Sequence, residues 1–525
     1  MAKIGKNAIE NLTIGMYKES QIIFREYIQN SADQIDLATE KGMFDEKLFI
    51  DIKIDKKNRY ISIRDNATGI PKDKVVESLE NVADSEKIRG ESKGFRGIGR
   101  LGGLAYCEEL VFTTTYKGEN QKTIMTWNAK MLIDKLNDLS VKDDASKILE
   151  DVISYKYEDC DVDEHYFLVE MKNVKIQDNN LLDVEEVRKY IAINAPVPFS
   201  SKMIYKEKIK EYLNKTNQKL SEYTIYVNSE MITKPYVTTL YVKDGNGKRK
   251  EYDKIFDIKI KEFKLDNGEL LAWMWYGISN FKKRIPSSVN EVVGLRLRQS
   301  NIQIGNEETL APFFKEERGN FYFIGEVHAV HKNLIPNARR DYFNENEERS
   351  CLDAELKKFF NEELYKLYYY ANNVKSALKK EAQLYETKQK YERKVGRFVD
   401  SQEKESLEND IKLAEEKNKK AQKDLNKYEE KAKENETFKL VLEHIKKEFE
   451  NRNDEENIDY KNSSKKEMKQ TKNRKKKNNY LVDELSKLKS SERKLVSKIY
   501  SIILKNLPEQ EGNALIKKIQ EELKK

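Results

Sequence analysis

The chain reads as an α/β protein: two successive α/β domains followed by a helical region. Three observations predict this. Residues 1–180 alternate helical and strand periodicities, residues 181–350 do so again, and from Cys351 the apolar residues step by three and four. Hydrophobic residues make up 38% of the 525 positions and charged residues 36%, below and above the globular norm respectively. That balance supplies one or two real cores, with the remainder as solvated helix or linker.

The elements follow in order. Tyr17 to Lys41 is amphipathic, with Ile22, Ile23, Tyr27, Ile28 and Ile35 on one side, which predicts a helix. KLFIDIKID and RYISIRD alternate as two strands around the polar turn Asp55–Asn58. A helix is expected after Pro71, then a glycine-rich stretch from Gly90 to Gly103, then the strands LVFTTTYK and TIMTWNA. One mixed sheet with helices on one face accounts for this pattern. In the second domain, VVGLRLRQSNIQIG and NFYFIGEVHAV are strands by alternation and β-branched content.

Beyond residue 350, Phe360, Leu364, Leu367, Ala371, Val374 and Leu378 form a heptad series. Leu407, Ile411, Ala414, Asn418, Ala421, Leu425, Tyr428 and Ala432 form a second. Gly396 interrupts them, and Asp400 with Glu403 reads as a capping box. The two series make either an antiparallel hairpin or one long interrupted coiled coil. A coiled-coil region over 351–450, a polar and flexible basic linker over 451–479 and a helical module over 480–525 complete the expected organisation.

Several function classes are excluded. No apolar run reaches transmembrane length, and the start MAKIGKNAIENLTIG is too polar for a signal peptide, so a cytoplasmic protein without membrane partners is expected. Three scattered cysteines (Cys107, Cys160, Cys351) make neither a disulfide scaffold nor a cysteine zinc site. Four histidines argue against His-rich metal catalysis. The net charge of +7 is modest, so the location of charge matters more than its sum.

Three motifs carry chemistry. Glu26, Asn30 and Asp33 are spaced by four and three, which places them on one helix face. A carboxylate one turn from an amide suits a general base beside a Mg²⁺ ligand. Asp65-Asn66-Ala67-Thr68-Gly69 closes a strand, where a carboxylate can accept from a base amino group and small residues allow close approach. Gly94-Phe95-Arg96-Gly97-Ile98-Gly99-Arg100-Leu101-Gly102-Gly103 frees backbone N–H groups for phosphate. It is neither a Walker A loop nor a strong Rossmann fingerprint. Taken singly, a solvated helix face and a plain Asp-Asn turn explain the first two better, and a flexible loop explains the third equally well.

Together, their order and spacing resemble the ATPases of gyrase, heat-shock protein 90, histidine kinases and MutL, the GHKL or Bergerat-fold family. The resemblance implies an α/β sandwich that binds Mg-ATP and hydrolyses it. Carried over, Glu26 is the base, Asn30 the magnesium ligand, and Asp65 the adenine contact, with Asp33 and Gly69 beside them. Gly94, Arg96, Gly97, Ile98 and Gly99 wrap the phosphates. Ser85-Glu86-Lys87 matches the S-x-K step before the lid of microrchidia (MORC) ATPases, which makes Ser85 and Lys87 nucleotide contacts. Ala67 stands where the family usually has Gly, and the family's later adenine-binding Thr is not located.

LIPNARRDYF resembles a segment of heat-shock protein 90 chaperones in which an Arg of the transducer domain reaches the γ-phosphate, here Arg340 with Asn337. GLRLRQSNIQIG resembles the same chaperones' transducer strands. The resemblance covers about residues 1–350. A coiled coil after a transducer looks more like microrchidia proteins, ATP-gated dimers that act on DNA. Absent motifs disfavour histidine kinase, topoisomerase and MutL. The expected function is a dimerising ATP-driven clamp on DNA or nucleoprotein, with anti-phage defence following from family association alone. A chaperone-like ATPase acting on protein clients is the alternative. Nine Lys and Arg from Lys461 to Lys477, against Glu467 alone, make either a phosphate-binding tail or a soluble linker. A partner protein is also expected, and dimerisation through the ATPase domain and coiled coil.

Overall fold

The computed structural model describes residues 5–6, 8–10, 19–81, 99–243, 245–396, 398–467, 480–485 and 488–524, with backbone alone at 452–467, 483–484, 509 and 524. The chain forms two compact units, Met1–Tyr365 and Lys366–Lys525.

The first unit contains two sheets. One is eight-stranded: β1 (Ile50–Asp55), β2 (Tyr60–Asp65), β3 (Glu109–Thr115), β4 (Gln121–Asn128), β5 (Ile153–Asp159), β6 (Tyr166–Lys172), β7 (Ile225–Val227) and β8 (Glu230–Met231), in the order β5-β4-β3-β6-β2-β1-β7-β8. All neighbours are antiparallel except β1 and β7. The β1–β2 hairpin turns where Asp55 accepts from the Asn58 N–H at 3.0 Å. Helix α1 (Ile22–Glu40) buries Ile23, Phe24, Tyr27, Ile28 and Ile35 into the core beneath this sheet. α2 (Lys72–Glu80), α3 (Ala129–Asn137) and α4 (Ala145–Val152) supply further apolar faces to that core.

The strand β7 shows that this layer does not stop at residue 180. After α5 (Val184–Asn194) the chain returns and pairs Ile225–Val227 in parallel with Ile50–Ile52. A three-residue strand carries too little periodicity to read from sequence.

The second sheet contains β9 (Thr239–Lys243), β10 (Arg249–Lys264), β11 (Leu270–Ser279), β12 (Gly294–Gln299), β13 (Ile302–Ile304) and β14 (Ile324–Ala329), in the order β13-β12-β14-β11-β10-β9. The strand stretch NFYFIGEVHAV is strand only from Ile324, since Glu317–Tyr322 forms a 3-10 turn. α6 (Lys206–Thr216) packs Ile209 and Leu213 with Trp273 and Trp275 in this domain's core.

A charge network lies inside the second sheet. Lys234 Nζ sits 2.8 Å from Glu326 Oε2, and Arg298 also pairs with Glu326, all three fully buried. Tyr236 and Trp275 donate to the same carboxylate at 3.1 and 3.3 Å. Arg298 also donates to the Ile193 carbonyl at 2.7 Å, in the last turn of α5. The network therefore ties the second sheet to a helix of the first domain.

Helix α7 (Glu347–Phe359), capped by Asn346, runs into the π-turn Phe360–Leu364. Phe360 is fully buried, with its ring 4.6 Å from that of Phe314. The boundary expected at 350 thus falls inside a helix: the start of the heptad series serves the first unit's core.

In the second unit α8 (Tyr365–Lys394) and α9 (Ser401–Glu434) are antiparallel, since Lys388 pairs with Glu415 at 2.7 Å and Tyr370 donates to the Tyr428 carbonyl at 3.0 Å. Of the two arrangements open from the sequence, the hairpin is the one seen. Gly396 takes a left-handed φ of +81° at the bend, and Asp400 accepts from the Glu403 N–H at 2.9 Å. α10 (Glu436–Glu467) folds back along α9, with Lys446 bonded to Glu429 at 2.5 Å. Its backbone remains helical across 451–467, where a linker was expected; Glu- and Lys-rich sequence favours helix without an apolar face. The remainder of that linker, 468–479, lies outside the described residues. α11 (Ser490–Asn506) and α12 (Glu509–Lys524) close a small core of Val399, Val482, Leu485, Tyr500 and Ile516.

Candidate nucleotide site

Helix α1 brings the motifs together. Glu26, Asn30 and Asp33 are half-buried along it, as their spacing requires. The Glu26 side chain is 14% exposed, and its Oε1 accepts from Arg25 Nη2 at 3.2 Å.

The glycine motif reaches Glu26 directly. Gly99 opens the 3-10 turn Gly99–Ala105, and a Cβ there would lie 2.5 Å from Glu26 Oε2. A side chain there would press on the end of the Glu26 side chain, while the φ of Gly99 is not left-handed. Tyr27 clamps the same turn: its hydroxyl donates to the Arg100 carbonyl and accepts from the Gly103 N–H, both at 3.0 Å. Ser85, Lys87, Gly94, Arg96, Gly97 and Ile98 lie outside the described residues.

Asp65 ends β2 and is fully buried. Oδ1 accepts from the Ala67 N–H at 3.2 Å, while Oδ2 has no hydrogen-bond partner among the described residues. Burial pushes the carboxyl up to about 6, against the Ser31 hydroxyl and the Ala67 N–H, which hold it down. A buried, half-satisfied carboxylate is costly without a further donor. An adenine amino group is such a donor.

The loop behind Asp65 is held firmly. Gly69 has φ +66°, and a Cβ would meet the Thr115 carbonyl oxygen at 1.9 Å. Thr68 donates to Gln34 Oε1 of α1 at 2.6 Å. Ala67 is buried in the core and not left-handed, so a side chain is accommodated where the family usually has none.

Sequence reasoning missed His165. Its Nδ1 is 2.8 Å from the Ala67 carbonyl oxygen, Nε2 is 3.0 Å from Glu46, and its ring stacks on Phe44 at 3.8 Å. It pins the Asp65 loop from the start of β6. Lone histidines carry no sequence signal for such a role.

Arg340 arrives from the second domain. It occupies the tip of a hairpin loop closed by the Pro336–Phe343 bridge and by the Asn337 N–H donating to the Tyr342 carbonyl at 2.9 Å. Its guanidinium donates to Gln29 Oε1 on α1 at 2.8 Å, one turn from Glu26. Asn337 Nδ2 donates to Asp341, which places its side chain in the turn itself.

Arg340 of the second domain thus reaches α1 one turn from Glu26, and the Asp65 loop bonds to the same helix through Thr68 and Gln34. Residues 18–166 match the family of histidine kinase-, DNA gyrase B- and HSP90-like ATPases. Among characterised relatives, the chain is 30% identical over 148 residues to the chaperone protein HtpG of Rickettsia typhi, covering 24% of this chain and 23% of that protein. It is 24% identical over 245 residues to HtpG of Clostridium botulinum, covering 40% and 39%. The matches therefore span about a quarter to two fifths of the length of these relatives.

The residues present suit Mg-ATP. The Asp65 oxygen without a partner would accept from an adenine amino group, and Asn30 would supply an oxygen ligand to magnesium. Among the described residues no group of three or more His, Cys, Asp or Glu could hold a metal ion. Among the described residues no helix is long and apolar enough to cross a membrane.

Proposed function

We propose that the protein is a Mg-ATP-hydrolysing, dimerising clamp. Asp65 accepts from the adenine amino group and fixes the base. Glu26 takes a proton from the attacking water, and Asn30 holds the magnesium. Magnesium held there would supply charge neutralisation at the phosphates. Arg340 faces the γ-phosphate from the second domain, so hydrolysis and domain geometry are coupled. The observation that carries this reading is the Arg340–Gln29 bond, which puts a second-domain cation one turn from the candidate base.

The clamp acts on DNA or nucleoprotein, with Lys461–Lys477 binding phosphates. A second reading, a chaperone-like ATPase on protein clients, is favoured by the similarity to proteins named as chaperones. Duplex DNA binding across a salt series separates them. The clamp reading expects binding with a steep log–log salt slope. Deleting 461–477 should make that slope shallower by about 0.9 for every phosphate the segment neutralises. DNA-independent suppression of client aggregation, with no DNA binding, would support the chaperone reading instead.

A further inference from the structure

Gln29 is 1% exposed, unusual burial for its residue type, and sits three positions after Glu26 on α1. Its Oε1 accepts from Arg340 Nη1 at 2.8 Å, while its Nε2 has no hydrogen-bond partner among the described residues. A buried donor left unmade is costly, so Gln is a poor residue here for packing alone.

The loop carrying Arg340 is built around this contact. Arg340 has a left-handed φ of +54°, a strained conformation for a side-chain-bearing residue. Its carbonyl accepts from the Gly305 N–H at 2.8 Å, and its N–H donates to the Asn337 carbonyl at 3.1 Å. The Asn344 N–H donates to the Ile335 carbonyl at 2.8 Å and closes the base of the loop. The backbone is thereby held in the one conformation that delivers the guanidinium to α1.

We propose that Gln29 is a positioning residue for Arg340: its amide oxygen holds the guanidinium on the nucleotide helix one turn from Glu26. This rests on the ATPase reading above. A neutral acceptor suits the task. It orients a cation through a charge-assisted bond, yet it does not compete for that cation as a carboxylate would once phosphate is nearby.

The test uses the full chain and the isosteric variant Gln29→Met, with Gln29→Glu keeping an acceptor. Hydrogen exchange over 336–343 reads the anchoring without reference to hydrolysis. Steady-state kinetics in the wild-type and Arg340→Ala backgrounds read the coupling. The expected result is faster loop exchange in Gln29→Met, protection retained in Gln29→Glu, and kcat about tenfold lower in Gln29→Met with KM changed by less than about twofold. That loss should vanish in the Arg340→Ala background, since both changes remove one interaction. Wild-type loop exchange in Gln29→Met, or a full further loss of kcat on top of Arg340→Ala, would overturn the proposal. A wild-type protein that hydrolyses no ATP would sink the proposed function instead, and the exchange data would still decide whether Gln29 anchors the loop.

Discussion

At the scale of single residues, Asp65 makes the sharpest demand. Its carboxyl titrates at about 6 because it is buried, so between its ordinary value of 3.8 and about 6 the folded state binds more protons than the unfolded one. The stability associated with the protonated form is complete below 3.8 and lost as pH rises through about 6. Nucleotide binding runs the other way, since the carboxylate is the better acceptor. ATP affinity should climb by up to about tenfold per pH unit towards 6 and level off above it. Asp65→Asn should abolish binding without lowering the melting temperature, because it removes a buried charge. Calorimetric titration across pH checks both, and unchanged affinity in the variant would remove Asp65 from the site. Gly99→Ala tests the other end of the site. The added Cβ would displace Glu26 Oε2, so hydrolysis should fall by about 10–100-fold while ATP affinity holds. Of these residues, Glu26, Asp65 and Gly99 were singled out by their motifs. His165 and Gln29 were not: their roles come from long-range contacts to Ala67 and Arg340, which no local pattern records.

At the scale of elements, strands with strong alternation and helices with an apolar stripe were readable, including α1, the β1–β2 hairpin and the helices α8 and α9, whose antiparallel pairing was left open. The short strands β7 and β8 were not, nor was the packing of Phe360 into the first unit's core, because each depends on a partner distant in sequence. The buried network of the second sheet is the clearest such case. Lys234 is pushed down to about 7, chiefly by burial and next by Arg298, while Arg298 and Lys234 hold Glu326 well below the carboxylate range against its own burial. Glu326→Gln leaves two buried cations without their counter-charge. It should destabilise the first unit by about 3–5 kcal/mol, measured by chemical denaturation. A loss below about 1 kcal/mol would mean that water reaches the network. Because Arg298 also caps α5, the same variant should loosen that helix end in hydrogen exchange.

At the scale of the whole molecule, the central claim is that ATP at the α1 site pairs two chains. Glu26→Ala isolates it: without the general base, hydrolysis should slow by about 10²–10⁴-fold, so the ATP-bound form persists long enough to weigh. Light scattering of this variant is the direct measurement. One chain has a mass of 61.8 kDa. The account predicts that mass with ADP and twice it with Mg-ATP, the doubling being abolished by adding Asp65→Asn. The same mass with ATP, with ADP and without nucleotide would contradict it.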